Sequence, residues 1–151
     1  MVEPFVQEVP FMIAVGNHEH TPGLLTNVSG TYQVGYAAYQ CRYAAVPDNG
    51  NSNLWFSYNH GAAHFVHINS EEDQSPASPQ AKWLAADLAA AATNRALVPW
   101  IILVQHRPVY SSTKSEASSH LPGSGFAAVL EPYLKQYKVD LFLTGHQHQC
   151  E

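Results

Sequence analysis

Ile101-Ile102-Leu103-Val104-Gln105-His106-Arg107-Pro108 is a short apolar run that ends on polar side chains and is closed by a proline. Runs of this length, rich in β-branched or bulky residues and bounded by turn signals, read as buried strands. Pro108, which has no N–H to give a ladder, stops the strand and fixes its exit. Two further runs have the same form: Phe11–Val15 leads into Gly16-Asn17-His18-Glu19, and Val139–Leu143, broken only by Asp140, leads into Gly145-His146-Gln147-His148. Three such strands bring their polar ends to the carboxyl edge of one sheet, where open α/β sheets place ligands. Imidazole nitrogens and amide oxygens gathered there point to a metal centre for hydrolysis.

Between these strands, Leu54–Ser57 and Ala63–Asn69 read as a neighbouring antiparallel pair turning at Asn59-His60-Gly61, the second alternating through His64-Phe65-Val66-His67-Ile68. Ser78 as N-cap and Pro79 at the first helical position open a helix that runs to about Thr93 with Trp83, Leu84, Leu88 and Ala91 on one face. A second helix, Phe126–Tyr137, presents Val129, Leu130, Tyr133, Leu134 and Tyr137 to the sheet, with Pro132 expected in its first turns. Pro47–Asn53 and Ser111–Gly125 read as loops, and no internal repeat is visible. The order strand, hairpin, helix, strand, helix, strand favours an α/β fold.

With 151 residues and 46% hydrophobic composition, the chain suffices for one domain with a real core. A net charge of −5 and only seven scattered Lys plus Arg argue against a nucleic-acid-binding surface. No apolar stretch is long enough to span a bilayer, and Met1-Val2-Glu3-Pro4 does not begin a signal peptide. Cys41 and Cys150 are open to two readings, a disulfide or two unpaired thiols. Asn27-Val28-Ser29 is a glycosylation sequon, which matters only in a secreted protein.

Gly16 lets the chain turn sharply after its strand. Asn17 then offers a neutral oxygen to a divalent ion, while His18 points elsewhere and is placed to contact substrate. In an extended segment His146 and His148 lean to the same face and address one or two metals. His106 alone is an ordinary strand-end histidine, and the company of the other two motifs changes that reading. His64 and His67 belong to the preceding hairpin, fall on opposite faces of their strand, and read as packing residues away from the cluster.

In this order the motifs resemble the metallophosphoesterase superfamily, in particular its purple acid phosphatase branch. Val9-Pro10-Phe11-Met12 before Gly-Asn-His-Glu is similar to that branch, as are Ser78-Pro79-Gln80 with Trp83-Leu84 and Asp87-Leu88. So are His106-Arg107-Pro108-Val109-Tyr110-Ser111-Ser112 and Val139-Asp140-Leu141 before Gly-His-x-His. The resemblance implies a calcineurin-like β-sandwich flanked by helices, with a dinuclear centre of Fe(3+) and Zn(2+), Mn(2+) or Fe(2+) at the carboxyl ends of strands. It implies Asn17, His106 and His146 as ligands of the divalent metal and His148 as a ligand of the iron. His18 would contact the phosphate and protonate the leaving oxygen, and Glu19 would orient a ligand or a water. The activity implied is hydrolysis of small phosphate monoesters by a metal-bound hydroxide, in a secreted or vacuolar/lysosomal setting, with no nucleic acid or membrane as partner.

Members of that branch carry, ahead of Gly-Asn-His-Glu, an Asp-containing strand end and a Gly-Asp-x-x-Tyr segment that complete the ligand set. Here no Asp precedes Phe11 and no Gly-Asp dipeptide occurs, so residues 1–151 are expected to be a single partial domain lacking the N-terminal metal-binding motifs. Cys150 stands where a Tyr is usual, and Thr113-Lys114-Ser115-Glu116 replaces the substrate-binding histidines of plant members, with His120 out of register. The leading expectation is an acid phosphatase fragment. The alternatives are a catalytically inactive metal-binding fragment, or another branch such as a nucleotidase or protein phosphatase.

Overall fold

A four-stranded sheet carries the molecule, its strands in space following their order in the chain. The computed structural model describes residues 11–20, 25–27, 30–32, 35–43, 53–112 and 125–148. In chain order these form α1 (Asn17–His20), β1 (Leu25–Asn27), β2 (Gly30–Tyr32), α2 (Ala37–Arg42), β3 (Phe56–His60), β4 (Ala63–His67), α3 (Pro79–Thr93), β5 (Trp100–Val104), α4 (Gly125–Gln136) and β6 (Leu141–Leu143). The pairs β4–β5 and β5–β6 are parallel, with His67 beside Val104 and Val104 beside Leu143, so the carboxyl ends of all three strands lie at one edge. The crossovers through α3 and α4 are the connections that parallel strands require.

The β3–β4 hairpin closes one step later than expected, because His60 still pairs with Ala63 and the turn is Gly61-Ala62. Gly61, at φ 57° and with open space where a Cβ would stand, supplies the left-handed residue that two-residue hairpin turns need. Ser78 caps α3 as read, its hydroxyl accepting from the Ala81 N–H at 3.1 Å. In α4, however, Pro132 is the eighth of twelve residues rather than part of the first turn, so the helix forgoes an interior hydrogen bond there. The helix ends on Lys138 at φ 52°, with the Val139 N–H donating back to the Leu134 carbonyl at 3.0 Å.

One face of the sheet is closed. Val66, Ile101 and Leu103 pack with Leu84, Leu88 and Ala91 of α3 and Ala127 and Leu130 of α4, and Trp83, Tyr133 and Phe142 pack against this group. Each buried Leu or Ile there contributes about 1.5–3 kcal/mol. The other face carries stacked rings on its β3–β4 half, Phe56 on His67 at 4.5 Å and Tyr58 on Phe65 at 5.3 Å. Its β5–β6 half stays open, with Trp100, Leu141 and Leu143 each about half exposed.

The edge far from the strands' carboxyl ends is held by Asp140. Its carboxylate accepts from the Ile101 N–H and from Arg95, each at 2.8 Å, and Arg95 also donates to the Tyr137 and Lys138 carbonyls. That accounts for an acid interrupting the apolar run before β6.

Phe11–Val15 departs from the strand expectation. Val15 is fully buried, yet the segment belongs to neither sheet of the described residues. Met12, Ile13 and Ala14 instead face Val104–His106 and Leu143–Gly145 across an open cleft of about 280 Å³. Only Val15 of the run is buried and Phe11 is exposed, so the run lies beside the strand ends without joining a ladder. The β1–β2 hairpin has no counterpart in the sequence reading.

Candidate functional site

The carboxyl ends of β5 and β6 lie side by side, and backbone hydrogen bonds lock the turns that follow them. The Gln105 N–H donates to the Leu143 carbonyl at 3.1 Å and the Gly145 N–H donates to the His106 carbonyl at 2.9 Å. The two histidine turns are thus fixed to each other by their main chains before any side chain is considered. His146 sits at φ 65°, a left-handed conformation that an imidazole-bearing residue adopts only at a cost. The segment is therefore bent rather than extended, and the alternation argument for His146 and His148 does not apply: His146 is half-buried and turned inward, while His148 is exposed.

The Gly16 turn approaches from the third segment. Its tightness has a plain cause: a Cβ on Gly16 would stand 3.1 Å from Glu19 Oε2 and 3.1 Å from both Cδ2 and Cε1 of His106. Only glycine admits the His106 ring that closely. Glu19 closes the turn by accepting the Gly16 N–H at 3.1 Å.

Three side chains from three segments converge. His106 Nε2 lies 2.7 Å from Asn17 Oδ1 and 3.1 Å from His146 Nδ1, with the two rings edge to face at 4.9 Å. A hydrogen on either ring nitrogen joins at most two of the three atoms well, whereas one ion engages all three. An amide oxygen with two imidazole nitrogens is a donor set suited to a divalent transition ion or zinc, so the residues present fit one such ion. Burial first, and then the neighbouring His146, hold His106 below its ordinary pKa, which favours the neutral, ligating ring.

Of the residues expected at the site, Asn17, His106 and His146 are brought together, and Glu19 abuts them through the Gly16 turn. His18 and His148 stand exposed on the same two turns and make no hydrogen bond to the trio. Among the described residues no group of three or more His, Cys, Asp or Glu could hold one ion. Asn27 closes β1, with the rest of its sequon outside the described residues. Cys41 is exposed and unpaired, and Cys150 lies outside the described residues, as do the central residues of both expected loops.

Neither hairpin histidine is hydrogen-bonded to this group. His64 lies between Asn59 Oδ1 at 2.7 Å and Asp87 Oδ2 at 2.9 Å, on the α3 side of the sheet. His67 is buried on the other face among the rings.

Sequence reasoning missed the residues behind His106. Glu71 receives Arg107 through two hydrogen bonds, Nε to Oε1 at 2.8 Å and Nη2 to Oε2 at 3.1 Å. Ser70 accepts the Arg107 N–H at 3.1 Å and donates to Glu71 Oε1 at 3.0 Å. Burial alone would push the Glu71 carboxyl up; the hydrogen bonds from Arg107 and Ser70 outweigh it and hold the pKa below its ordinary value. A signal did exist: Asn69-Ser70-Glu71 follows β4, whose carboxyl end lies at the same edge as that of β5.

Comparison with known proteins agrees with the motif order. The calcineurin-like phosphoesterase family model matches residues 1–150. Purple acid phosphatase 23 of Arabidopsis thaliana is 33% identical over 99% of this chain and 31% of its own length. Acid phosphatase type 7 of Homo sapiens is 30% identical over 100% of this chain and 34% of its own length. The structure of a purple acid phosphatase from yellow lupin (Lupinus luteus) seeds superposes with a TM-score of 0.76 at 29% identity, over 97% of this chain and 26% of that one. The chain spans about a third of the length of the curated relatives it matches.

Proposed function

Because the chain belongs to the calcineurin-like phosphoesterase family, we propose that it supplies one wall of an acid phosphatase site that hydrolyses small phosphate monoesters with a metal centre. The observation that carries this reading is the convergence of Asn17 Oδ1, His106 Nε2 and His146 Nδ1 from three separate segments. In the reading we adopt, these three hold the divalent ion, Zn(2+), Mn(2+) or Fe(2+), and His148 contributes to an Fe(3+) site beside it. When bound, such a pair of cations lowers the pKa of water and offsets charge on the attacking and leaving oxygens.

The chain's own residues do the rest. Asn17 brings no charge to the ion, which leaves its Lewis acidity intact. In this reading His18, exposed on the same turn, meets the phosphate and hands a ring proton to the departing oxygen. Glu19 fixes the turn that aims both. The proposed setting is secreted or vacuolar/lysosomal, with Asn27 glycosylated; no helix of the described residues is long and apolar enough to cross a membrane.

Cobalt(II), which takes zinc-type sites and gives visible bands, tests the site directly. The chain should bind it with a nitrogen-rich spectrum, and His106→Ala should abolish that spectrum. A chain that binds no cobalt at all overturns the metal reading. One observation favours a second reading, an inactive metal-binding chain: no carboxylate joins the trio among the described residues. Cobalt or zinc uptake without turnover of an aryl phosphate, even once the chain is joined to a segment carrying Gly-Asp-x-x-Tyr, supports that second reading.

A further inference from the structure

We propose that Glu71 and Ser70 are positioning residues that hold His106 in place by gripping the residue after it, Arg107. The inference rests on the reading of His106 as a metal ligand, and it assigns a role to the segment that follows β4. The peptide group joining His106 to Arg107 is held at both ends, its carbonyl accepting from the Gly145 N–H at 2.9 Å and its N–H donating to Ser70 Oγ at 3.1 Å. Beyond that peptide, the Arg107 guanidinium meets Glu71 in the two-pronged geometry that fixes direction as well as distance. Ser70 closes the loop by donating to the same carboxylate at 3.0 Å.

A second tether runs on the other flank. Gln105 Nε2 donates to the Arg107 carbonyl at 2.6 Å, and Gln105 Oε1 accepts from Gln74 at 3.1 Å. Gln74 and Gln80 each donate to the Asn69 carbonyl, so the turn after β4 is itself braced from α3. The segments after β4, β5 and β6 therefore form one hydrogen-bonded frame, with His106 at its centre.

The arrangement also decides what Arg107 does not do. A free guanidinium beside a phosphate site would bind the substrate. Here the side chain of Glu71, only 6% exposed, takes its charge and turns it into a brace. Replacing either partner removes the two-pronged hold on Arg107 and leaves the turn to its Ser70, Gly145 and Gln105 tethers, which loosens the hold on the His106 ring beside Asn17 and His146. Partners that orient metal ligands in this way typically change affinity 10–100-fold when removed.

The test uses the whole chain with Glu71→Gln, Arg107→Lys and Ser70→Ala, with His106→Ala as the control that empties the site. Cobalt(II) affinity is one readout. The other, made without metal, is the ring signals of His106 and His146 by nuclear magnetic resonance, together with the melting temperature. Glu71→Gln should weaken cobalt binding about 10-fold and broaden the His106 ring signals. Arg107→Lys, which keeps the charge but loses the fork, should fall between it and the native chain.

A variant that melts earlier yet keeps native cobalt affinity and native His106 signals overturns the proposal, since the pair would then only stabilise the fold. Ser70→Ala, the mildest change, separates a folding failure from a loss of positioning. Should the native chain bind no cobalt, the metal reading fails by itself, and the His106 ring signals alone decide whether Glu71 positions that ring.

Discussion

His106 and His146 at the sheet edge, and His64 and His67 on the hairpin, are four histidines in one small domain that meet opposite surroundings. At the edge two ring nitrogens point at each other and at an amide oxygen, from turns held rigid by backbone hydrogen bonds. On the hairpin the His64 ring is bracketed by two oxygens, and the His67 ring is packed between Phe56 and Tyr58 with both nitrogens unpartnered. The first arrangement aims its lone pairs at one point. The second either spends them within the fold or smothers them. Residue type says nothing about this difference: His106 and His146 stand in the turns beyond their strands, whereas His67, the last residue of β4, is still paired in the ladder with its ring on the stacked face.

The sharpest way to break the comparison is to remove one ring from each group. His106→Ala should lower cobalt(II) affinity about 100-fold or more, because its ring nitrogen lies 2.7 Å from Asn17 Oδ1 and 3.1 Å from His146 Nδ1, at the centre of the donor set. His64→Ala should leave that affinity unchanged. Isothermal titration of both variants decides the matter, and a large loss from His64→Ala would show that the two groups act together.

The next effect concerns pH. Burial among the rings lowers the His67 pKa to about 4, while the unfolded chain keeps a histidine near its ordinary value of about 6.5. Between these values the unfolded state binds the proton and the folded state does not. Stability is therefore complete above pH 6.5 and is lost as pH falls toward 4, by about 2 kcal/mol at pH 5 and about 3 kcal/mol at pH 4. His67→Phe, which keeps the stacking and has no nitrogens to protonate, should flatten that decline in urea unfolding curves at pH 7 and pH 5. An unchanged slope would mean that the ring finds a partner on protonation.

Much of this was legible in the residues. Ser78-Pro79 announced α3, and Ile101–Val104 ending at Pro108 announced β5, because local stereochemistry decides caps and strand stops. Asn17, His106 and His146 were legible as a set because each follows an apolar run, and the chain brings their ends to one edge. Phe11–Val15 misled since an apolar run reads the same whether it joins a ladder or lies beside strand ends. The left-handed His146 was invisible: it sits at the centre of a tight turn closed by the Gln147 N–H on the Gly145 carbonyl at 2.7 Å, and that turn is anchored by the Gly145 N–H on a residue 39 positions away. Glu71 and Arg107 are separated by 36 residues, and nothing local in either announces the other.

Within the edge group, Gly16 measures how closely the third segment must come. Gly16→Ala places a methyl 3.1 Å from the His106 ring carbons and from Glu19 Oε2, so one of them must yield by a few tenths of an ångström. Cobalt affinity should fall about 3–10-fold, equivalent to roughly 1 kcal/mol, with the fold intact by circular dichroism. No change would mean that the Gly16 turn is free to withdraw and does not set the site.

The smallest effect belongs to the hairpin side. Asp87 accepts from Ser57 Oγ at 2.6 Å and faces His64 Nε2 at 2.9 Å, tying α3 to β3 and β4. Asp87→Asn keeps an oxygen for Ser57 and offers His64 an amide N–H, which an unprotonated ring nitrogen accepts. The contact survives with its charge removed. Because both hydrogen bonds keep a partner in Asp87→Asn, the cost should stay below about 1 kcal/mol. Asp87→Ala removes both hydrogen bonds and should cost about 1–3 kcal/mol. Thermal unfolding of the two variants at pH 7 separates a polar tie from an ionic one. If Asp87→Asn proved as damaging as Asp87→Ala, the ionic contact would be what holds the hairpin to α3. If either variant shifted cobalt affinity, hairpin and edge could no longer be treated as separate regions.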